Sequence, residues 1–101
     1  MHAQVIRFKL NPWSTEAGEL QTHLDTTVLP ELRNRIGYEG SYFLDEPSGL
    51  CILICLWENE ECALASERVK SLANEIARLL GTPEETLTES TYDVPLADHP
   101  A

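Results

Sequence analysis

The stretch Leu50–Trp57, LCILICLW, contains eight consecutive residues without a charge in a chain of 101 residues. A β-strand turns successive side chains to opposite faces of a sheet, so the odd and the even positions form two separate apolar rows. A strand with water on one side normally alternates apolar and polar residues. We therefore expect a central strand that is covered on both faces, which limits the folds open to so small a domain.

Four segments have the β-branched and aromatic composition that is typical of strands. They span residues 3–9, 38–46, 50–57 and 86–94. The sequence EPSG, with Pro47 before Gly49, predicts a tight turn that joins the second strand to the third as a hairpin.

The first helix follows the first strand. Ser14 or Thr15 can cap it, and its apolar residues recur every four positions. Pro30 lacks a backbone N–H, so we expect a kink or break between residues 26 and 30, and Gly37 ends the helix. The predicted apolar stripe comprises Leu20, Leu24, Val28, Leu32 and Ile36.

The second helix follows the third strand. Asn59 caps it, and Glu60 and Glu61 fall in the first turn, where the helix dipole favours anions. Gly81 ends it. The predicted apolar stripe comprises Cys62, Ala65, Val69, Leu72, Ala73, Ile76 and Leu80.

The predicted order is strand, helix, strand, strand, helix, strand, which is the βαββαβ pattern of an α+β, ferredoxin-like fold. In this fold two helices cover one face of a four-stranded antiparallel sheet and leave the other face open. We expect one domain over residues 1–94 and a C-terminal tail over residues 95–101.

The helices would cover one apolar row of the third strand, and the open face would carry the other. The row made of four aliphatic residues is Leu50, Ile52, Ile54 and Leu56. Leaving each of these side chains in water would forgo roughly 1.5–3 kcal/mol. Exposed apolar patches usually mark an interface, and a second copy packed sheet to sheet covers the patch economically. We therefore predict a homodimer through the open sheet face.

The charge composition argues against several classes of partner. The chain has 7 Lys and Arg against 17 Asp and Glu, and a formal net charge of -10. Nucleic acids and anionic membranes are bound by clustered cations, so neither is an expected partner. No stretch approaches the ~20 apolar residues of a membrane span, and the first ten residues do not resemble a signal peptide. We expect a cytoplasmic protein.

The cysteines and histidines do not predict a metal site or a disulfide framework. The three cysteines, at 51, 55 and 62, are an odd number without CxxC spacing. The three histidines, at 2, 23 and 99, lack the spacing of metal ligands. We expect the cysteines within the third strand to be buried free thiols.

Three segments, in the βαββαβ order, resemble a known family. They are LPELRNRIGYEGSYFL from Leu29, GLCILICLWENEEC from Gly49, and the closing YDV. Over roughly residues 3–94 they are similar to the antibiotic-biosynthesis-monooxygenase-like domains of the dimeric α+β barrel superfamily. The resemblance implies a dimeric barrel and a small hydrophobic or aromatic ligand. Members of the family include oxygenases of polycyclic phenols that use no cofactor.

The resemblance extends only in part to the polar residues of that family. Trp57 matches a Trp that ends the third strand in the anthrone-oxidising members. Those members have an Asn four residues earlier and a Tyr six residues later, where this chain has Leu53 and Ala63. An Arg is expected late in the second helix, and Arg78 lies near that position.

Oxygenation without a cofactor needs a base and a dry pocket, because the substrate must first lose a proton. His23 lies at the edge of the first helical stripe, so it is either a catalytic base or a boundary residue. Trp57 is either a catalytic-site ring that stacks a flat substrate or a core residue at the strand–helix junction.

Four further residues are candidates for substrate binding. Tyr42 and Tyr92 can bind a phenolic oxygen or serve as ordinary sheet residues. Arg7 is either a pocket cation or half of a salt bridge at the dimer seam, with Glu89 as its candidate partner. Trp13 is either a staple at the helix entry or a lid over the pocket.

Two functions follow as hypotheses. The first is a monooxygenase-type enzyme without a cofactor that acts on a small aromatic or quinone-like molecule. The second is a non-catalytic dimeric module of the same fold that binds a small ligand or has a regulatory role. The Leu53 and Ala63 positions favour the second, whereas Trp57 favours the first.

Overall fold

The computed structural model describes residues 1–9, 16–69, 71–80 and 87–98. Its elements follow the predicted βαββαβ order, and each helical region consists of more than one segment. The elements are β1 (His2–Lys9), α1 (Glu16–His23), a π-helical segment (Leu24–Val28), α2 (Leu29–Arg33), β2 (Tyr38–Asp45), β3 (Leu50–Trp57), α3 (Glu60–Val69), α4 (Leu72–Leu80) and β4 (Thr88–Asp93).

The strands form one antiparallel sheet with the order β2-β3-β1-β4. This order confirms the α+β, ferredoxin-like fold. Within one chain the sheet is open, with β2 and β4 at its edges, and does not close into a barrel. Closing the sheet into the barrel that the sequence predicts would require a second chain.

The two apolar rows of β3 lie in different environments. The odd positions, 51 to 57, are at most 1% exposed and pack beneath the helices, whereas the even positions, 50 to 56, are only partly buried. The period of two therefore separated the two rows correctly, and the structure shows that the odd row is the one beneath the helices. The core against the odd row includes Ile6 and Phe8 of β1 and the helical residues Leu20, Leu24, Val28 and Leu32.

The first helical region contains the predicted irregularity. The N–H of Leu29 bonds to the carbonyl of Leu24, five residues earlier, which is the wider π-helical pattern. Pro30 follows at once, and it has no N–H to continue the ladder. The helix ends at Arg33, so Ile36 lies outside it and is 86% exposed. Its assignment to the apolar stripe was wrong because the four-residue period applies only within a helix.

Gly37 adopts the predicted left-handed conformation, with φ of 81°. Its prediction as the residue that ends the helix was wrong, because the helix ends at Arg33 with Asn34 as its C-cap. The hairpin turn is also confirmed: the N–H of Gly49 bonds to the carbonyl of Glu46 over 2.9 Å, and Gly49 has φ of 95°. β4 spans Thr88–Asp93, which is shorter than the predicted 86–94.

The second helical region begins as predicted, since Oδ1 of Asn59 accepts the N–H of Cys62 over 2.9 Å. The expectation of one continuous helix was wrong. Ser71 caps a new helix, α4, by accepting the N–H of Asn74 through its hydroxyl over 3.2 Å. The inward residues of α3 include Ala63 and Ser66, whereas Ala65 is exposed, so its place in the stripe was also wrong.

Three of the sequence expectations concern residues that the structure does not describe. The caps Ser14 and Thr15 and the terminator Gly81 lie outside the described residues, and so does Trp13. The side chains of Val69 and Leu80 are likewise not described.

Membrane-spanning helices and metal-binding clusters are both absent from the described ranges. No helix there is long and apolar enough to cross a membrane. In the same part of the chain, no group of three or more His, Cys, Asp or Glu side chains is placed to hold a metal ion. All three cysteines are free thiols, and two of them, Cys51 and Cys55, are buried.

Candidate functional site

A cavity of about 650 Å³ lies between the first helical region and the helix-covered face of β2 and β3. Its apolar lining comes from both layers, and its polar lining includes two carboxylates and a serine hydroxyl. The described residues that line it are Gly18, Gln21, Thr22, Leu24, Asp25, Leu29, Ser41, Phe43, Asp45 and Leu53.

Local sequence explains why space remains beneath this helix. Gly18 lies within α1 and has no side chain, and a Cβ built there would meet no atom within 4 Å. The π-helical segment then supplies Leu24 and Asp25 to the cavity. π-Helical turns are often found at functional sites, where they displace side chains from regular helical positions.

The sheet side of the cavity follows from the register of β2 on β3. Ser41, Phe43 and Asp45 pair with Cys55, Leu53 and Cys51. All of these positions share the face that the helices cover, because side chains alternate along each strand. The strand therefore presents a hydroxyl, an aromatic ring and a carboxylate in sequence along one wall.

The hydroxyl of Ser41 joins the cavity to buried polar groups. Its Oγ lies 2.6 Å from the hydroxyl of Tyr38 and donates to Sγ of Cys55 over 3.5 Å. Burial raises the pKa of Tyr38, and burial likewise raises the pKa of Cys55 to about 11. Both groups therefore keep their protons at neutral pH. The Ser41 hydroxyl has a single proton, so it can donate to an oxygen in the cavity when it turns away from Cys55 and accepts a hydrogen bond from Tyr38.

Trp57 packs against Tyr38, the residue whose hydroxyl contacts Ser41. Its side chain is 0% exposed, and its Nε1 donates to Oε1 of Gln4 over 3.3 Å. Its ring meets Tyr38 edge to face, with centroids 5.6 Å apart and an interplanar angle of 73°. Trp57 is not among the described residues that line the cavity, and it contacts the site through Tyr38.

Three candidate residues lie on the opposite face of the sheet. Arg7, Tyr42 and Tyr92 pair with Ile52, Ile54 and Ala3, whose side chains belong to the open face. The structure brings Arg7 and Tyr92 together, since a hydrogen bond from Arg7 lowers the pKa of the Tyr92 hydroxyl. Tyr42 is 54% exposed.

Glu89 was expected to be the salt-bridge partner of Arg7, and this expectation was wrong. Glu89 pairs with Ile6, so it belongs to the helix-covered face, and its Oε1 accepts Nε2 of Gln4 over 3.1 Å. The register of β4 on β1 thus separates the two charges by the thickness of the sheet. The alternation within one strand does not reveal that register, which is set by pairing between strands.

His23 is the last residue of α1 and is half-buried. It lines a separate surface depression with Gly18, Glu19, Thr22 and Thr26, and it is not among the described residues that line the main cavity. Trp13 cannot be placed, since it lies outside the described residues.

The sequence did not predict a role for three of the polar residues that line the cavity, Asp25, Ser41 and Asp45. A signal for two of them existed in the alternation of β2, which puts positions 41, 43 and 45 on one face. The missing information was which face of β2 lies against the helices. The Asp25 position depends on the π-helical segment, which shifts the phase of the helix.

Known proteins share this fold, although their sequences differ greatly from this one. No protein-family model matches the sequence, and no curated protein matches it either. Among solved structures, the chain is similar to a monooxygenase from the gene ActVA-Orf6 of Streptomyces coelicolor, solved in complex with nanaomycin D. The identity is 17%, the alignment covers 99% of this chain and 92% of that chain, and the TM-score is 0.71.

Two further structures match over nearly their whole length. SnoaB, a cofactor-independent oxygenase from Streptomyces nogalater, is 12% identical, with 95% of this chain and 94% of that chain covered and a TM-score of 0.70. NE2512, a protein of unknown function from Nitrosomonas europaea, is 18% identical, with coverage of 99% and 94% and a TM-score of 0.69. At these identities the likeness shows the fold alone, which this chain shares with the three structures named here.

Proposed function

We propose that the protein is a monooxygenase-type enzyme without a cofactor, which binds a small aromatic or quinone-like molecule in the cavity beneath α1. The observation that carries the proposal is the Ser41 hydroxyl, which lines the cavity and lies 2.6 Å from the hydroxyl of the partly buried Tyr38. The fold likeness to an oxygenase and a monooxygenase supports the reaction class.

The proposed reaction starts with loss of a proton from an activated C–H or O–H group of the substrate, which leaves an electron-rich anion. This anion reduces O₂ and forms a C–O bond, and the resulting hydroperoxide loses water to give a carbonyl. For an anthrone, a CH₂ group and O₂ thus become a C=O group and H₂O. Ser41, turned away from Cys55, would donate a hydrogen bond to the developing oxyanion while Tyr38 donates to Ser41. Asp25 or Asp45 would accept the substrate proton and return it to the peroxide anion.

The apolar lining supports a flat ligand. Leu24, Leu29, Phe43 and Leu53 supply the hydrophobic and aromatic contacts that ligand pockets usually have. We propose Trp57 as a positioning residue, because its ring packs on Tyr38 and would fix the Tyr38 hydroxyl next to Ser41. His23 stays a second candidate base at the helix surface.

A non-catalytic ligand-binding module is the alternative. Leu53 lines the cavity at the position where the oxygenase resemblance implies Asn, and Ala63 stands at the implied Tyr position. A pocket with fewer donors can still hold an aromatic ligand through its apolar lining. This alternative requires binding without consumption of oxygen.

We also propose that the functional unit is a homodimer that joins two open sheet faces. Leu44 is 48% exposed, and Ile52, Ile54 and Leu56 are only partly buried. These residues form an apolar surface that a second copy would cover. Arg7, Tyr42 and Tyr92 share that face and would lie at the dimer seam.

The test is oxygen uptake with a panel of anthrones and hydroquinones, with quinone formation followed by absorbance. The Ser41→Ala variant is expected to lose at least about 10²-fold in rate, the range of one hydrogen-bond donor to an oxyanion. Ser48→Ala, in the exposed hairpin turn, is the matched control and should keep the full rate. Gly18→Phe should abolish turnover, because the new ring would occupy open space beside the cavity without a clash at its Cβ.

The same panel distinguishes the alternative. Compounds that raise the melting temperature without oxygen uptake would support the binding module and overturn the enzyme. Turnover that is unaffected by both Ser41→Ala and Gly18→Phe would place the reaction elsewhere and overturn this site.

A further inference from the structure

Two carboxylates face the same cavity from opposite walls. Asp25 belongs to the π-helical segment, and Asp45 is the last residue of β2. Both side chains are exposed, and each is counted with a formal charge of -1, so the polar lining has a net negative charge. A ligand that enters between them meets acceptors of hydrogen bonds on both sides.

No described Lys or Arg lines this cavity to offset that charge. Arg7 and Lys9 belong to the open face of the sheet, on the far side from the cavity. Arg35 donates to Glu31 and Ser66, and Arg78 pairs with Glu75 on α4. Arg33 and Arg68 are exposed and lie outside the cavity lining.

The segments that the structure does not describe contain few Lys or Arg residues. Residues 10–15, which join β1 to α1, contain no Lys, Arg or His, and neither do residues 81–86. Lys70 is the single Lys or Arg of the sequence that lies outside the described ranges. The shortage of positive charge near the cavity is therefore a property of the sequence as well as of the fold.

We infer that the cavity selects neutral aromatic ligands that carry phenolic hydroxyls and rejects their carboxylated analogues, with Asp25 and Asp45 as the residues that determine this specificity. The inference rests on the cavity of the proposed function and adds the class of ligand. A phenolic O–H donates to a carboxylate, and such charge-assisted hydrogen bonds are the stronger kind. A ligand carboxylate would instead lie near two like charges.

The experiment compares a matched pair of ligands, chrysazin and its carboxylated analogue rhein, by equilibrium dialysis at neutral pH. Chrysazin is expected to bind at least about tenfold more tightly to the natural protein, since a modest Coulomb repulsion already corresponds to that ratio. The double variant Asp25→Asn/Asp45→Asn should bind rhein more tightly and bring the two affinities to within about threefold.

The matched control separates the local effect from the net charge of -10. Asp93→Asn/Asp98→Asn removes the same two charges from positions that do not line the cavity, and it should keep the preference for chrysazin. Circular dichroism and thermal melting check that each variant is folded. Gly18→Phe should weaken the binding of both compounds, which places them in this cavity.

Equal affinity of the natural protein for both ligands would overturn the inference, and so would a preference that persists in the cavity double variant. Failure of both ligands to bind would overturn the inference and the proposed ligand class together. Selective binding of chrysazin without oxygen uptake from any anthrone would overturn only the proposed enzyme and support the inference.

Discussion

The indole Nε1 of Trp57 donates a hydrogen bond to Oε1 of Gln4 over 3.3 Å, and both side chains are buried. This contact joins the end of β3 to β1 in the middle of the sheet. Nε2 of the same Gln4 donates to Glu67 and Glu89, so one amide connects α3 and β4 to the core. The residue that matches an oxygenase Trp by sequence is thus part of a structural network.

Replacing Trp57 by Phe should lower the free energy of unfolding by about 1–3 kcal/mol. The variant leaves Oε1 of Gln4 buried without its donor and leaves part of the indole volume empty. Urea denaturation at a fixed protein concentration measures the change. Tyr42→Phe also removes one polar group from an aromatic side chain, at a site that is 54% exposed, and should shift stability by less than about 0.5 kcal/mol. Equal stability of Trp57→Phe and the natural protein would contradict the structural role of the hydrogen bond.

Stability should fall at alkaline pH because of Cys55. Burial raises the pKa of this thiol from its ordinary 9.0 to about 11, so between these values the unfolded chain loses a proton that the folded chain keeps. The free energy of unfolding should therefore decrease by about 2–3 kcal/mol as the pH rises from 9 to 11, at 1.36 kcal/mol per pKa unit.

Denaturation series across this pH range provide the measurement. Cys55→Ala should flatten the decrease, although the raised pKa values of Tyr38 and Cys51 leave part of it. Cys62→Ala removes the half-buried thiol and should keep the whole decrease. A pH dependence that is the same in both variants would show that Cys55 is not its source.

Gly37 and Gly18 should respond in opposite directions to substitution by Ala. At Gly37, with φ of 81°, a Cβ would lie 2.7 Å from the Cβ of Cys62, so Ala should cost about 2–4 kcal/mol through strain and overlap. At Gly18 the Cβ meets nothing within 4 Å, and the helix should gain up to about 1 kcal/mol. Urea midpoints of the two variants test this, and a stable Gly37→Ala would be the contradictory result.

The proposed dimer should depend on Ile54. The Ile54→Lys variant places a charge in the apolar row of the open face, where the desolvation of an unpaired ammonium opposes association. Light scattering at micromolar concentration should give twice 11.3 kDa for the natural protein and 11.3 kDa for the variant. Leu64→Lys, at a side chain of α3 that is 45% exposed, should stay dimeric. A natural protein with a mass of 11.3 kDa would contradict the proposal itself.

Several features were predicted from the sequence because their causes are local. The bounds of β3, the two environments of its apolar rows, the Asn59 cap and the left-handed Gly37 depend on alternation, on capping and on the backbone freedom of glycine. The order of the elements then indicated the ferredoxin-like fold.

The site required the tertiary structure. The register of β4 on β1 places Arg7 and Glu89 on opposite faces of the sheet. The π-helical segment places Asp25 at the wall of a cavity whose other wall comes from β2. These relations join residues far apart in the chain, and no local period specifies them. The sequence by itself determined which residues form each strand and helix, since those depend on neighbouring side chains. Only the tertiary structure decided which polar groups meet, because that depends on strand pairing and on packing between layers.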